Sequence, residues 1–322
     1  MSRPVVVLTQ RWPRRVERAM AERFDLRALP AGEPHSARLA EQDVIARCEG
    51  ADILCPTFSD RLPASLINRL PGSIGLIASF GVGTNHIDVA AATARGIMVS
   101  NTPEVVTTDT ADLTIGLIIA ASRRFSEGDG LIRDDAWGGV GLFNMLGSRV
   151  AGKTLGIVGM GRIGRAVARR ARGFDMPVIY HGPRPKPDVD AEYRRDITDL
   201  LGQADIVSLH CPLTPATHHL IDGARLRAMK STAILVNTGR GPLIDEKALV
   251  TALENGTIAA AGLDVFEFEP KVSRALSQLP NTVLLPHVGT ATVEAREEMG
   301  LRVIANIEAF LQTGAPRDMV SA

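Results

Sequence analysis

Short apolar runs alternate with longer amphipathic stretches along nearly the whole chain, and this leaves few architectures open. The runs have the length of strands, and roughly 10–20 residues with helical spacing of apolar positions separate most of them. Such alternation favours parallel sheets covered by helices. The predicted strands span residues 4–9, 53–56, 75–79, 97–100, 154–158, 177–181, 205–210, 233–237, 260–264 and 282–285.

The length of 322 residues predicts two domains, at about 150 residues per domain. A second series of strand–helix units begins near residue 154, after a long helical pattern at 107–133 and a glycine-rich loop at 137–147. A final helical stretch at 291–311 follows the last strand of the second series and could pack back on the first domain.

Residues 154–174 have the pattern of a strand, a glycine turn and a helix, and Gly159, Gly161 and Gly164 form G-x-G-x-x-G within it. The first glycine permits the tight turn, the second lets the backbone approach a pyrophosphate, and the third lets helix and strand pack closely. We therefore predict a dinucleotide site here. The alternative is a tight turn between strand and helix that binds no ligand.

The residues after the second strand of this unit bear on the choice of cofactor. An NAD site usually has an acidic residue there, whereas residues 177–187 contain none. Arg184 could instead pair with the 2′-phosphate of NADP. We predict NADP as the cofactor, with NADPH preferred and NAD possible. The alternative is that Arg184 and Lys186 are solvated loop charges.

Arg240, Glu269 and His287 each lie just after a predicted strand of the second series. Ligands in open α/β sheets bind outside the carboxyl ends of the strands. Arg can hold a carboxylate through two hydrogen bonds, His can deliver a proton near neutral pH, and Glu can orient and stabilise an imidazolium. Together they suit the reduction of a 2-oxo acid, although each residue alone could serve a structural role.

Six stretches carry a family resemblance: SFGVGTNHID (79–88), GIMVSNTPEVVTTDTADL (96–113), GKTLGIVGMGRIG (152–164), VNTGRGPLIDEKAL (236–249), GLDVFEFEP (262–270) and LPHVGTAT (285–292). The chain resembles the D-isomer-specific 2-hydroxyacid dehydrogenases, and among them the glyoxylate/hydroxypyruvate reductases. The resemblance implies that Arg240, Glu269 and His287 form the catalytic triad of a reductase of small 2-oxo acids, and that the protein is a homodimer.

The resemblance also implies a fold and a wider set of site residues. The fold is α/β, with two Rossmann-like or flavodoxin-like parallel-sheet domains and a cleft between them: residues 1–100 plus 290–322 bind substrate, and residues 101–289 bind the dinucleotide. Backbone N–H groups of Val82 and Gly83 join Arg240 at the substrate carboxylate. The further cofactor residues are Val106 and Thr110 at the nicotinamide, Arg162 and Ile163 at the pyrophosphate, Cys211, Pro212 and Thr217 on the adenosine side, Thr238 and Gly239 beside Arg240, Asp264 at the carboxamide, and Gly289.

Composition excludes several other classes. Lys plus Arg and Asp plus Glu both total 36, which argues against a protein that coats nucleic acid. The three cysteines have no metal or disulfide spacing, so a reducing, cytoplasmic compartment is expected. Neither a signal peptide nor a membrane segment is evident. No metal site is predicted, because His218 and His219 would need further ligands at suitable spacing.

Two other functions stay open. One is a reductase of larger 2-oxo acids, such as 2-ketogluconate or aromatic 2-oxo acids. The other is a dinucleotide-sensing binding protein of corepressor type, which shares this fold. Phe58 and Arg296 are candidates for substrate selection. Trp137 either reaches a neighbouring subunit's pocket or is a partly buried anchor.

Overall fold

The structure, a computed structural model, describes residues 3–30 and 39–321. The chain divides into two compact units, Met1–Val106 with Thr290–Ala322, and Thr107–Gly289. Each unit is built on a parallel sheet, of five and seven strands, which confirms the predicted α/β class. The first unit continues to Val106, beyond the predicted boundary at residue 100.

The elements are numbered in chain order. The strands are β1 (Val5–Leu8), β2 (Asp25–Arg27), β3 (Ile53–Cys55), β4 (Leu76–Ala78), β5 (Met98–Ser100), β6 (Leu155–Val158), β7 (Val178–His181), β8 (Glu192–Tyr193), β9 (Ile206–Leu209), β10 (Ile234–Asn237), β11 (Ala260–Leu263) and β12 (Thr282–Leu284). The α-helices are α1 (Arg14–Arg23), α2 (Glu41–Arg47), α3 (Ala64–Ile67), α4 (Val89–Ala94), α5 (Thr107–Ser122), α6 (Phe125–Arg133), α7 (Arg162–Ala171), α8 (Ile197–Gln203), α9 (Gly223–Ala228), α10 (Glu246–Glu254), α11 (Arg274–Ser277) and α12 (Val293–Thr313).

The sheet of the first unit has the order β2-β1-β3-β4-β5 with every neighbouring pair parallel. Helix α12, from the far end of the chain, packs on α1 and β4 of this unit. Close approach of α12 to α1 depends on Gly300, because a Cβ atom there would lie 2.5 Å from Cγ1 of Val16. The predicted terminal helix therefore belongs to the core of the first unit.

The sheet of the second unit has the order β12-β11-β10-β9-β6-β7-β8 and is also parallel throughout. From β6 the chain adds β7 and β8 towards one edge of the sheet, and from β9 it adds β10, β11 and β12 towards the other edge, so the strand order reverses between β6 and β9. In a doubly wound sheet, the crevice at such a reversal is where a dinucleotide binds. The loops that follow β6 and β9 therefore border this crevice.

The helical pattern predicted at residues 107–133 is present but is interrupted at residues 123–124. The structure has two helices, α5 and α6, because Arg124 adopts a left-handed conformation with φ of 56°. Helix α5 has seven buried residues among its sixteen, while α6 has none. The Arg124 guanidinium binds the Glu127 carboxylate at 2.6 and 2.8 Å and thereby closes the first turn of α6.

Across residues 3–30 and 39–321, no helix combines the length and the apolar character that crossing a bilayer would require.

Candidate functional site

The glycine loop after β6 has the geometry that a pyrophosphate needs. Gly159 has φ of 102°, and a Cβ atom there would lie 2.5 Å from the backbone nitrogen of Cys211, which follows β9. A Cβ atom at Gly164 would lie 2.3 Å from the Gly159 carbonyl oxygen. A Cβ atom at Gly161, the N-cap residue of α7, would have no neighbouring atom within 4 Å. The loop thus packs tightly at its first and third glycines and is open at the second, above the N–H groups of α7.

The neighbouring loop residues are placed around this turn. Arg162 and Ile163 open α7; Arg162 is exposed, and Ile163 packs partly against the core. Thr217 holds the loop after β9 together, since its hydroxyl donates to the Pro212 carbonyl at 2.7 Å and accepts from the Thr214 N–H at 2.8 Å. Burial raises the pKa of the Cys211 thiol to about 11, so this cysteine is uncharged at neutral pH.

The loop of residues 182–187, which carries Arg184, is fixed by two tyrosines. The buried Tyr180 hydroxyl accepts from the Lys186 N–H at 2.6 Å, and the Tyr193 hydroxyl donates to the Gly182 carbonyl at 3.0 Å. Arg184 is exposed and has no ion pair within the part of the chain that the structure describes. The nearest acid in sequence, Asp188, is bound by both terminal nitrogens of Arg165 at 2.7 and 3.0 Å. A ligand phosphate at Arg184 would therefore meet no carboxylate of its own loop.

Arg240 lies in a turn that is pressed against the loop after β11. A Cβ atom at Gly241 would lie 1.9 Å from the backbone carbon and oxygen of Phe266, so only glycine fits. The Asn237 side chain fixes the turn, donating to the Arg240 carbonyl and accepting from the Gly239 N–H, both at 2.9 Å. Burial lowers the pKa of Arg240, and the Glu269 charge opposes that shift.

Glu269 and His287 form a hydrogen-bonded pair, with Nδ1 of His287 2.9 Å from Oε2 of Glu269. The other carboxylate oxygen, Oε1, accepts from the Phe266 N–H at 2.9 Å. Burial alone would raise the pKa of Glu269. Burial is outweighed by the hydrogen bond and charge of His287, the Phe266 N–H and the charge of Arg240, so the pKa of Glu269 is lowered. Because Nδ1 faces Glu269, Nε2 is the nitrogen through which His287 would exchange a proton with a substrate.

Asp264, fully buried at the end of β11, fixes the loop that holds His287. Its Oδ1 accepts from the Val288 N–H at 2.7 Å and its Oδ2 from the Gly289 N–H at 2.8 Å. Burial raises the pKa of Asp264, although both N–H groups and the His287 charge lower it. His287 itself has φ of 55°, a left-handed conformation that is costly for a residue with a side chain. The two bonds to Asp264 thus hold the backbone beside a strained residue.

Other predicted cofactor residues of the second unit meet at the same place. The Thr110 hydroxyl lies 3.4 Å from the Gly289 carbonyl oxygen, and a Cβ atom at Gly289 would lie 3.1 Å from Oδ2 of Asp264. Thr238 is joined to helix α5 through a hydroxyl contact of 3.0 Å with Thr114. The loops after β11 and β12 therefore meet helix α5 at Thr110, Asp264 and Gly289, and Thr238, after β10, contacts the same helix.

In the first unit, Val82 and Gly83 form the turn after β4. Neither N–H group donates a hydrogen bond within the described residues, while the Asn101 side chain binds the Val82 carbonyl at 2.8 Å. Two such N–H groups are suited to an anion. Val106 lies at the end of this unit and packs in its core.

The specificity candidates differ in their surroundings. The Arg296 guanidinium lies 4.7 Å from the ring centre of Phe58, and its NH1 atom is buried with no hydrogen-bond partner among the described residues. Trp137 is 59% exposed, which disfavours its role as a partly buried anchor within the chain.

Sequence reasoning did not identify the positioning role of Asp264 or the close approach at Gly241. A glycine directly after Arg240 is a sequence signal for such an approach. Nothing in the sequence indicates that both oxygens of Asp264 accept backbone N–H groups, since their donors lie 24 and 25 residues further along the chain.

The chain has close relatives among known proteins. Residues 115–289 match the family described as D-isomer specific 2-hydroxyacid dehydrogenase, NAD binding domain. The chain is 40% identical to the glyoxylate reductase of Thermococcus kodakarensis over 99% of its own length and 96% of that protein. It is 43% identical to the glyoxylate reductase of Thermococcus litoralis over 86% of each chain.

Among solved structures, one similar protein is the NADPH-dependent glyoxylate/hydroxypyruvate reductase of Sinorhizobium meliloti in complex with NADP and malonate. The TM-score is 0.87 and the identity 35%, with 99% of this chain and 97% of that chain covered. The family match includes the glycine loop, Arg240, Glu269 and His287, and the full-length similarity extends to both units.

Proposed function

Because the chain belongs to the D-isomer-specific 2-hydroxyacid dehydrogenase family, an NAD(P)-binding oxidoreductase family, we propose that it is an NADPH-preferring reductase of small 2-oxo acids. Glyoxylate and hydroxypyruvate are the proposed substrates, and D-2-hydroxy acids the products. The observation that carries the proposal is the 2.9 Å pair of His287 and Glu269, beside Arg240 and on the unit with the dinucleotide motif.

Each residue of the triad has a separate task in the proposed mechanism. When bound, the reduced nicotinamide supplies a hydride to the carbonyl carbon of the substrate. Arg240 binds the substrate carboxylate. Separately, we propose that the N–H groups of Val82 and Gly83 in the first unit bind an anion. His287 transfers a proton from Nε2 to the carbonyl oxygen as negative charge develops there. Glu269 binds Nδ1 and thereby orients the ring and stabilises the imidazolium form that donates the proton.

The residues of the second unit fit a dinucleotide. The open position at Gly161 and the N–H groups of α7 suit a pyrophosphate. Asp264 and Thr110 are proposed to contact the nicotinamide end. Arg184, on a loop braced by Tyr180 and Tyr193, is proposed to bind the 2′-phosphate.

The test of the reaction is a turnover assay that follows NADPH and NADH oxidation with glyoxylate, hydroxypyruvate, pyruvate, 2-ketogluconate and phenylpyruvate. We expect glyoxylate or hydroxypyruvate with NADPH to give the highest kcat/KM. His287→Ala should lower kcat by about 10²–10⁴-fold, the usual contribution of a general acid, with NADPH affinity unchanged. An unchanged kcat in that variant would contradict the mechanism. Tight cofactor binding without any turnover would favour the sensor.

The test of cofactor choice compares two arginines of the second unit. Arg184→Ala should raise KM for NADPH and leave KM for NADH unchanged. Arg172→Ala is the matched control, since it removes the same charge from a residue paired with Asp190 at 3.0 Å. Equal effects of both variants, or a wild-type preference for NADH, would contradict the assignment of Arg184.

We also propose that a second copy of the chain covers the loop of residues 137–146. Five large apolar side chains are at least 59% exposed within this short segment, which is unusual for a surface that faces water. They are Trp137, Val140, Leu142, Phe143 and Leu146. A homodimer would remove them from solvent.

A further inference from the structure

We propose that His218, His219 and Glu267 form a binding site for one divalent transition-metal ion, with Zn²⁺ the best-suited ion. The proposal does not depend on the reductase activity. One potential ligand atom of each residue lies within 4.8 Å of the others. All three residues belong to the second unit, and none is part of the proposed catalytic triad.

The backbone explains how two consecutive histidines can point the same way. Successive side chains diverge in strands and helices. Here His219 has φ of 49°, in the left-handed region, and its N–H donates to the Pro242 carbonyl at 2.8 Å. The chain therefore turns between His218 and His219, and their ring centres lie 4.0 Å apart with the planes inclined by 31°. This conformation brings two imidazoles to one point of the surface.

The third ligand arrives from a distant part of the chain and is held in place. Oε1 of Glu267 lies 2.8 Å from Nε2 of His219, and Oε2 accepts from the Glu246 N–H at 3.1 Å. The Glu267 N–H in turn donates to the Glu246 carboxylate at 3.2 Å. The Glu267 side chain is only 12% exposed, and these hydrogen bonds fix its orientation. Outer contacts of this kind orient the ligands of metal sites.

The distances suit a small ion. Zinc–ligand bonds of about 2.0–2.2 Å at tetrahedral angles place ligand atoms about 3.3–3.6 Å apart. His219 and Glu267 need to separate slightly from 2.8 Å, and the exposed His218 needs to swing inward. Two imidazoles and one carboxylate favour Zn²⁺, Ni²⁺ or Cu²⁺ over Mg²⁺, which prefers oxygen ligands.

The experiment measures Zn²⁺ binding to the full-length protein after EDTA treatment, by competition with a chromophoric chelator, with Mg²⁺ as the comparison ion. We expect one zinc site and no Mg²⁺ binding. His218→Asn, on an exposed side chain, and Glu267→Gln, which keeps an acceptor for Glu246, should each raise the zinc Kd at least about tenfold. Loss of outer contacts alone commonly costs about 10–100-fold.

Two control variants separate this site from two other potential zinc ligands of the second unit, His287 and Cys211. His287→Asn removes the His287–Glu269 pair, and Cys211→Ser removes the partly buried thiol; both should bind zinc with unchanged Kd. Zinc binding that is lost in either control and kept in His218→Asn would overturn the proposal. So would the absence of a zinc site in the wild-type protein.

Discussion

Replacement of Asp264 by Asn tests whether this residue positions the His287 loop. The carboxylate accepts two backbone N–H groups at 2.7 and 2.8 Å, and it is 1% exposed. Asn retains one oxygen acceptor and places an NH2 group opposite the second N–H. Hydrogen bonds to a charged group contribute about 1.5–3 kcal/mol each, and an opposed buried donor costs about 1–3 kcal/mol more.

Part of the stability lost with these hydrogen bonds is offset by the removal of a buried charge. Because burial raises the pKa of Asp264, a neutral side chain avoids part of the cost of burying the charge. We therefore expect Asp264→Asn to lower the free energy of unfolding by about 2–4 kcal/mol. For a protein of more than 150 residues this corresponds to a Tm decrease of roughly 5–15 °C. Displacement of His287 by about 1 Å should lower kcat by up to about 100-fold.

The assay measures turnover over a range of NADPH and 2-oxo acid concentrations up to saturation, well below the Tm of the variant, and thermal unfolding is measured alongside. Asp222→Ala is the control, because Asp222 caps α9 through the Arg225 N–H at 2.9 Å. It should cost about 1 kcal/mol of stability with kcat unchanged. If Asp264→Asn lowers Tm but leaves kcat intact and raises only KM for the cofactor, the positioning argument fails and Asp264 serves the carboxamide instead.

Three further predictions follow from the same unit. The pKa of Glu269 is lowered in the fold, so its ionised form stabilises the native state above the ordinary value of 4.5, and this contribution is lost as pH falls through the lowered value. Tm-against-pH curves of Glu269→Gln and wild type should therefore diverge at neutral pH and converge in acid; parallel curves would contradict this. Gly159→Ala should abolish NADPH binding, measured by cofactor fluorescence, because the new Cβ atom meets the Cys211 backbone at 2.5 Å; unchanged affinity would exclude the clash. We expect light scattering to show a dimer for the wild-type protein and a monomer after Leu142 and Phe143 are replaced by Ser; a monomeric wild-type protein would refute the proposed interface.

The sequence predicts the interior of the fold better than its edges. Strands such as β6 and β10 are buried along their whole length and are visible as continuous apolar runs. Strands β2 and β8 were not predicted; both are edge strands with exposed or half-buried residues. The break between α5 and α6 has neither Gly nor Pro, so the sequence gives no signal of it.

The candidate site shows a similar division. Residue type and strand-end position predict Arg240, Glu269 and His287 as site residues, and in the structure Nδ1 of His287 lies 2.9 Å from Oε2 of Glu269. The contacts that position these side chains join loops that are distant in sequence, and the residue pattern of one sequence does not contain this information. The pairing of His219 with Glu267, 48 residues apart, is another such contact.

The loops after β10, β11 and β12 support one another, and this affects how substitutions should combine. Gly241 lets the Arg240 turn contact the Phe266 backbone, whose N–H in turn binds Glu269. Glu269 binds His287, and the backbone beside His287 is held by Asp264. Because each contact positions the partner of the next, substitutions at Asp264 and Glu269 share one consequence, a misplaced imidazole. Their effects on kcat should therefore be less than additive, as for groups that act as a unit.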